Sequence, residues 1–243
     1  MGANKYSVFK YTIYCSNKFI SADSCIGRKW LCQFQHDQVS VLPSLYYRYT
    51  YNKFTSLLQA LNDSTLLTTR QNLSNDQSGG LEVVVSADVS EIGSAHLSAN
   101  GFYEKIDASN LGYGGSKSIT SWSSALTVSI NLAKTSKVQI NSNYNSSRLT
   151  PQGEFRPSYG VNLGLRQELS DGKVSLILTA SDIFKTQKRQ LELTTPLLNQ
   201  TVLNTRDSRI VYLGFTYHLG LLPKKSKEEQ LHYDDNWFWL IFL

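Results

Sequence analysis

Charge is scarce in this sequence. Asp, Glu, Lys and Arg make up 18% of its 243 residues, against roughly 25% in soluble domains. The formal net charge is +5, and the basic residues form no stripe along the chain. Because nucleic-acid binding depends on a clustered basic surface, no nucleic-acid partner is expected. Apolar residues make up 41% of the chain, which argues against wholesale disorder.

Cysteine and long apolar runs are also rare. The three cysteines, Cys15, Cys25 and Cys32, all lie near the N-terminus. An odd number cannot close entirely into intramolecular disulfides, and the spacings match no zinc pattern, so we expect no metal and no cofactor. No apolar run reaches the roughly 18 residues of a transmembrane helix, and residues 1–36 contain no signal-peptide core.

Catalytic patterns are missing too. His36, His96, His218 and His232 have no partner at a metal-binding spacing. A serine hydrolase would gather Ser, His and an acidic or amide residue at one place, but serine is too common here for that test to discriminate. The sequence therefore predicts no enzymatic activity and no catalytic residue.

From about residue 39, apolar residues alternate with small polar ones. Near the end of the pattern, Leu213 and Phe215 fall on one face while Gly214 and Thr216 fall on the other. A period of two is that of a β-strand with one apolar and one polar face. The same period predicts strands over 44–54, 80–90, 95–106, 121–132, 137–146, 158–169, 173–184 and 209–220, with an additional one near 64–72.

The predicted connections alternate in length. Short turns fall near 91–94, 133–136 and 170–172, and longer polar loops fall near 107–118, 148–157 and 185–206. Outer-membrane barrels have short periplasmic turns and long extracellular loops. The alternation therefore favours a barrel that crosses the outer membrane.

The polar face separates a membrane barrel from a soluble sheet. Soluble sheets present Lys, Glu and Arg to water, whereas this face carries mostly Ser, Thr, Asn, Gln and Gly. Predicted strands of 10 to 14 residues exceed the soluble norm of about five to six and meet the roughly nine to eleven needed to cross a tilted bilayer. Asp182 falls in the apolar register at a strand end, so we expect it at the headgroup boundary.

Residues 41–235 resemble the C-terminal part of the β-barrel domain of TonB-dependent outer-membrane receptors, in the version common in Bacteroidetes-type bacteria. No single motif is very specific, and the resemblance rests on their order and spacing. The matching segments are PSLYYRYT at 43–50, GGLE at 79–82, LTPQG at 149–153, GVNLGLR at 160–166, SDIF at 181–184, DSRIVYLGFTYHLG at 207–220 and KKSKEE at 224–229.

The resemblance implies an all-β fold: an antiparallel transmembrane β-barrel segment of about eight or nine long strands, surrounded by outer-membrane lipid. Receptors of this type carry a signal peptide, a TonB-contacting segment, a plug and about 22 strands, so this chain looks like the C-terminal third of one. The complete receptor would bind a scarce nutrient such as an iron chelate, cobalamin or a glycan. Contact with the TonB system would pass through the plug region, which is absent here.

The two ends of the chain depart from the family. Residues 1–38 hold every cysteine and no alternation, so we expect sequence from a shifted reading frame or a mis-set start, the alternative being a divergent soluble cap. We therefore divide the chain into an unassigned stretch at 1–38, a barrel segment at 39–220, and a polar tail with an apolar end at 221–243.

The face on which each residue falls in the alternation, together with the lengths of the loops, also gives candidate site residues. On the lumen side we expect Asn141, Asn143, Asn162, Arg166 and Thr216. On the long extracellular loops we expect Tyr113, Arg148, Gln152, Glu154 and Arg156. If the faces are assigned correctly, an arginine at Leu163 or Leu213 should hinder membrane insertion by roughly 2–4 kcal/mol, whereas Asn162→Arg should be mild.

Two other architectures fit the alternation. A complete small barrel of eight strands, with a structural or adhesive role, requires its first and last strands to pair. A soluble β-sandwich binding module would bury its apolar faces inside, and the uncharged polar faces disfavour it.

Overall fold

The fold is described from a computed structural model of the chain, which describes residues 11–22, 25–62, 65–72, 75–89, 91–112, 115–194, 199–205 and 207–219. The predicted tail at 221–243 and the loop residue Tyr113 lie outside these residues. No helix in the described part of the chain is long and apolar enough to cross a membrane.

Ten antiparallel strands form the main sheet, in the order β1-β2-β3-β6-β7-β8-β9-β12-β13-β16. Along the chain, each strand of this sheet pairs with the next strand of the same sheet. The remaining strands form hairpins that are inserted between these strands. The strands are β1 Tyr11–Ala22, β2 Cys25–His36, β3 Val39–Tyr51, β4 Phe54–Asn62, β5 Thr65–Asn72, β6 Asn75–Val89, β7 Gly93–Asp107, β8 Lys117–Ala133, β9 Ser136–Asn145, β10 Arg148–Thr150, β11 Gly153–Phe155, β12 Ser158–Leu169, β13 Val174–Ala180, β14 Lys188–Thr194, β15 Asn199–Thr205 and β16 Val211–Tyr217.

The eight strands predicted from the alternation are present, as β3, β6, β7, β8, β9, β12, β13 and β16. The additional strand near 64–72 is β5, but it pairs with β4 in a separate two-stranded sheet. The structure also extends the main sheet into residues 1–38, through β1 and β2. The domain boundaries at residues 38 and 220 stay predictions.

From β2 onward, long and short connections lie at opposite ends of the sheet, as the sequence predicts. At one end the links are short: 37–38, 90–92, 134–135 and 170–173. Gly93 opens β7 directly after one of them with φ +141°, and a Cβ there would lie 1.9 Å from the carbonyl oxygen of Ser129. Only glycine fits so close an approach of two strands.

At the other end, four long connections join β3 to β6, β7 to β8, β9 to β12, and β13 to β16. Three of them contain strands of their own. The hairpin β4/β5 lies in the first, and β10, β11, β14 and β15 from the last two form a four-stranded sheet. We call these two small sheets together the loop layer.

Burial runs opposite to that of a soluble protein. Ser44 is 4% exposed and its neighbour Leu45 is 53% exposed, while Ser121 is 1% exposed and Trp122 is 51% exposed. Since successive strand residues point to opposite faces, one face of the main sheet is polar and covered and the other is apolar and open. The described buried hydrophobic residues lie toward the end of the long connections: Leu57, Phe102, Ile106, Ala108 and Leu193.

Candidate functional site: the outer wall, the inner face and the loop layer

The outer wall is the exposed apolar face of the main sheet. It runs from strand to strand through directly opposed residues such as Leu165 and Leu178, with Leu178 in turn opposite Leu213. All three side chains are exposed. A continuous apolar surface across so many strands is not stable in water, and it matches the lipid-facing band of an outer-membrane barrel.

Aromatic residues line the outer wall toward the loop end. Tyr47, Tyr103, Trp122 and Tyr159 are all about half exposed. The Trp122 ring stacks on Tyr144, with ring centroids 4.2 Å apart. Aromatic residues at this level form the interfacial girdle of membrane barrels, so the membrane boundary on the loop side passes here.

The inner face is lined by small polar residues that meet in rows across the sheet. In one row the directly opposed residues are, in order, Ser40, Ser86, His96, Thr127, Asn141 and Asn162. The His96 Nδ1 atom lies 3.1 Å from Ser86 Oγ, and Asn141 Nδ2 donates to Thr127 Oγ1 at 3.1 Å. Neighbouring strands therefore exchange side-chain hydrogen bonds on this face, which suits a hydrated interior.

Two groups of opposite charges meet on the inner face. Lys29 Nζ donates to Glu82 Oε2 at 2.6 Å, and Ser44 Oγ donates to the same oxygen at 3.2 Å. Nearer the loops, Lys53 forms an ion pair with the buried carboxylate of Asp76 and lies 3.8 Å from Glu104 Oε1. Sequence reasoning did not identify these pairs, because strand period alone does not show which charged residues meet across strands.

The five predicted lumen residues lie on the same face as the buried polar residues. Asn162 and Asn141 oppose each other, and Asn143 opposes Gly160 on β12. Arg166 is half-buried, with its Nε atom 3.6 Å from Glu168 Oε1, and Thr216 opposes the buried Ser175. That these residues face a lumen stays a prediction.

Asp182 corrects the expectation of a carboxylate at the lipid boundary. Strand β13 ends at Ala180, and Asp182 adopts φ +42°, so its side chain leaves the alternating register and is fully buried. Its carboxylate accepts hydrogen bonds from Thr186 N–H at 2.9 Å and Gln187 N–H at 3.1 Å, and from the hydroxyl of Ser208.

The same aspartate ties the loop to the inner face of the sheet. The Asp182 N–H donates to Asn162 Oδ1 at 2.8 Å. Burial by itself would raise the pKa of the Asp182 carboxyl, but the hydrogen bonds from Ser208, Thr186 and Gln187 outweigh it and lower the pKa. Asn162 is therefore a structural residue as well as a residue of the inner face.

Gln152 joins the two sheets of the loop layer. Its side chain is buried, with Nε2 donating to the carbonyl oxygen of Leu58 at 2.7 Å and Oε1 accepting from the Leu58 N–H at 2.8 Å. Its own carbonyl oxygen accepts from the Thr194 N–H at 2.7 Å. One residue thus connects β4, the β10/β11 turn and β14, a role that loop length alone did not reveal.

The remaining predicted loop residues lie in or beside the loop layer. Arg156 Nη2 donates to Glu192 Oε2 at 2.5 Å, and its Nη1 lies 3.2 Å from Glu154 Oε1. The hydrogen bond from Arg156 lowers the pKa of the Glu192 carboxyl. The Arg148 guanidinium lies 5.5 Å from the centre of the Phe102 ring. That these residues face the extracellular side stays a prediction.

A cavity of about 570 Å³ lies between the loop layer and the inner face of β7. Its size is in the range of small-molecule sites, roughly 300–1,000 Å³. Polar and charged groups share its lining with aliphatic ones, among them Lys53, Glu104, Thr150, Arg189, Leu58 and Leu191. In the described part of the chain, no three His, Cys, Asp or Glu residues are placed to hold a metal ion.

Comparison with known proteins agrees with this geometry. The model of the outer membrane protein beta-barrel family matches residues 33–217, which include eight complete strands of the main sheet. No curated protein and no solved structure matches the chain. With an apolar outer wall, a polar inner face and a family match over most of its length, the chain belongs to the outer membrane protein beta-barrel family and is a protein of the bacterial outer membrane.

Proposed function

We propose that the chain forms the C-terminal part of the barrel of a TonB-dependent outer-membrane receptor, where it supplies lumen wall and extracellular loop surface for uptake of a nutrient. The observation that carries the proposal is the sheet itself, which has ten strands, an apolar outer wall and a polar inner face. Within the described residues, β1 pairs with β2 alone and β16 pairs with β13 alone.

The pairing of the edge strands supports a segment of a larger barrel. An unpaired strand edge exposes backbone N–H and C=O groups, which cannot stay unsatisfied in lipid. Further strands of the same receptor would pair with both edges and close the wall. The complete eight-stranded barrel is disfavoured because the main sheet has ten strands and its outermost strands do not meet in the described residues.

The loop layer supports a role in ligand uptake. Its two sheets are held together by buried hydrogen bonds at Gln152. They cover a cavity whose lining includes charged and hydroxyl-bearing side chains. A preformed cavity beneath ordered loops is a usual form of a ligand site. In the complete receptor this cavity would face the nutrient before the plug admits it.

Electrophoresis of the refolded full chain tests whether it closes a barrel by itself. Closed barrels migrate differently in unheated and boiled samples, so the proposal expects no heat-dependent shift from this chain in detergent. Size-exclusion chromatography of the same sample provides the second measurement. A monodisperse monomer with a heat-dependent shift would contradict the proposal and favour the small complete barrel.

The genomic sequence upstream of the coding region tests the receptor identity directly. The proposal expects codons for a plug and for earlier barrel strands, in the frame that continues into this chain. A separate promoter and start for this chain, without such codons, would reject it.

A further inference from the structure

We propose that Arg28 and Lys105 bind the anionic phosphate groups of lipid headgroups, at the level where the outer wall leaves the membrane on the loop side. We call these two residues, together with Tyr47 and Tyr103, the cationic patch. Its partner is a lipid of the leaflet that surrounds this end of the sheet. The inference needs an outer wall that faces lipid, and it does not depend on the receptor proposed above.

Lysine and arginine residues of the main sheet are divided unequally between its two faces. In the described strands of this sheet from β2 onward, those on the inner face are Lys29, Arg48, Lys117, Lys137 and Arg166. Arg28 and Lys105 fall on the outer wall, and both side chains are exposed. In these strands the outer wall therefore carries lysine or arginine at two positions, and the rest of it is free of them.

Both positions lie at the aromatic girdle. Arg28 is directly opposite Tyr47, and the same row continues through Gly79 to Tyr103. Lys105 lies two residues beyond Tyr103 on β7, toward the loops. A cation on the lipid face costs about 2–4 kcal/mol at the bilayer midplane and about 0–1 kcal/mol near the interface. The two cations are thus placed at the depth of the headgroups, where their exposure to the membrane costs least.

The protein supplies no counterion for either cation within the described residues. The nearest acidic residue on the outer wall, Asp107, attracts Lys105. Its oxygens already accept hydrogen bonds, Oδ1 from the Ser109 N–H at 3.0 Å and Oδ2 from Asn75 Nδ2 at 3.3 Å. Arg28 has no acidic residue beside it on the described part of the wall. Both cations are therefore available to an anion from outside the protein.

The surface between the two cations suits a phosphate-bearing headgroup. Tyr47 and Tyr103 are each about half exposed, and their hydroxyl groups can donate hydrogen bonds to phosphate oxygens. Gly79 lies between them without a side chain of its own. Three strand spacings separate β2 from β7, about 14 Å, so long side chains approach this surface from both sides. The planar guanidinium of Arg28 can bind two phosphate oxygens at once.

Urea titration of the full chain in lipid vesicles measures the effect of the headgroup. One set of vesicles is dioleoylphosphatidylcholine, and a second set also contains dioleoylphosphatidylglycerol, which has the same acyl chains and a net negative headgroup. The anionic lipid should shift the folding equilibrium toward the inserted chain by about 30-fold, the effect of two cations near an anionic surface. Inorganic phosphate added to the phosphatidylcholine vesicles should give no such shift, because it has no acyl chains to hold it at the girdle.

Substitutions test whether the gain comes from the cationic patch. Arg28→Gln/Lys105→Gln should lose most of the gain from phosphatidylglycerol and fold normally in phosphatidylcholine. Lys134→Gln/Lys173→Gln is the matched control and should keep most of the gain, since it removes two exposed cations from short turns at the opposite end of the sheet. Equal losses from the two pairs, no gain for the unchanged chain, or an equal gain from inorganic phosphate would overturn the proposal.

Native mass spectrometry provides a second measurement that does not depend on the double variant folding. The unchanged chain, released from the mixed vesicles in mild detergent, should retain phosphatidylglycerol in preference to phosphatidylcholine. Arg28→Lys keeps the charge and should show the same preference. Equal retention of the two lipids by the unchanged chain would overturn the proposal.

Discussion

An arginine at Leu163 should destabilise the membrane-inserted state by about 2–4 kcal/mol, the cost of a cation on the lipid face at the bilayer midplane. Leu163 lies on the outer wall, opposite Ile140 and Ala180. Tyr159, on the same strand and face, belongs to the aromatic girdle. Four residues of strand span about 14 Å, or roughly 10 Å of depth at barrel tilt. In an apolar band about 25 Å tall, this places Leu163 near the middle.

The assay is urea titration of the full chain refolded into lipid vesicles, followed by tryptophan fluorescence. The expected loss corresponds to about a 30- to 700-fold change in the folding equilibrium. Tyr159→Arg is the matched control at the girdle, where the cost should fall to about 0–1 kcal/mol. Asn141→Arg is the control for the inner face and should cost less than Leu163→Arg, since its side chain can extend into a hydrated interior.

Two results would refute this assignment of faces. One is an equal loss of stability from Leu163→Arg and Asn141→Arg, and the other is a larger loss at Tyr159 than at Leu163. Asn162→Arg is not a suitable control, although sequence reasoning expects it to be mild. Asn162 is 1% exposed and accepts the hydrogen bond from Asp182, so a long cation there would disrupt the loop anchor.

Three further predictions concern the loops, each measured by amide hydrogen exchange and by urea titration in vesicles. Asp182→Ala should cost about 1–3 kcal/mol, because buried donors lose their acceptor, whereas the exposed Asp207→Ala should change little. Since folding lowers the pKa of Asp182, its contribution to stability is present at neutral pH and is lost as the pH falls through the lowered pKa of the folded state. Gln152→Ala should cost about 1–3 kcal/mol and speed exchange in β4 and β14, because the backbone N–H and C=O groups of Leu58 both lose their partner. Glu154→Ala is the control and should cost less, since it removes only a surface ion pair with Arg156. Equal effects of the two substitutions would argue against Gln152 as the link. Gly153→Ala should loosen β11 from β14 at a cost of about 1–3 kcal/mol, since its Cβ would lie 1.8 Å from the carbonyl oxygen of Glu192, while Gly115→Ala has open space around its Cβ and should be silent.

The main strands could be predicted from sequence because each has one apolar wall and one polar wall along most of its length. A strand such as β12 alternates Leu163 and Leu165 with Gly164 and Arg166, and no other regular structure has that period. Strand β2 is less regular, since Arg28 is exposed on the same face as Trp30. Its pairing with β3 was therefore not visible as alternation.

The loop layer could not be predicted in the same way. Strands β10 and β11 have three residues each, too few for a period, and they exist because β14 pairs with β11 from far along the chain. The loop positions of Gln152 and Arg156 follow from connection length, but their partners do not. Asp182 was misplaced because alternation was extended past the true end of β13, where a positive φ breaks it.

Contact with lipid also determines which side-chain property is constrained at the positions of the outer wall. A side chain packed inside a soluble core must fit the shape of its neighbours, but one that meets fluid lipid needs only to be apolar. Leu, Val, Ile or Phe would serve at positions such as Leu165 or Leu213, and Ser, Thr or Asn would serve at many inner positions. Many residues of the outer wall can therefore be substituted without changing how the wall meets lipid. Related proteins of this kind should share the alternation of polar and apolar residues more clearly than they share residue identities.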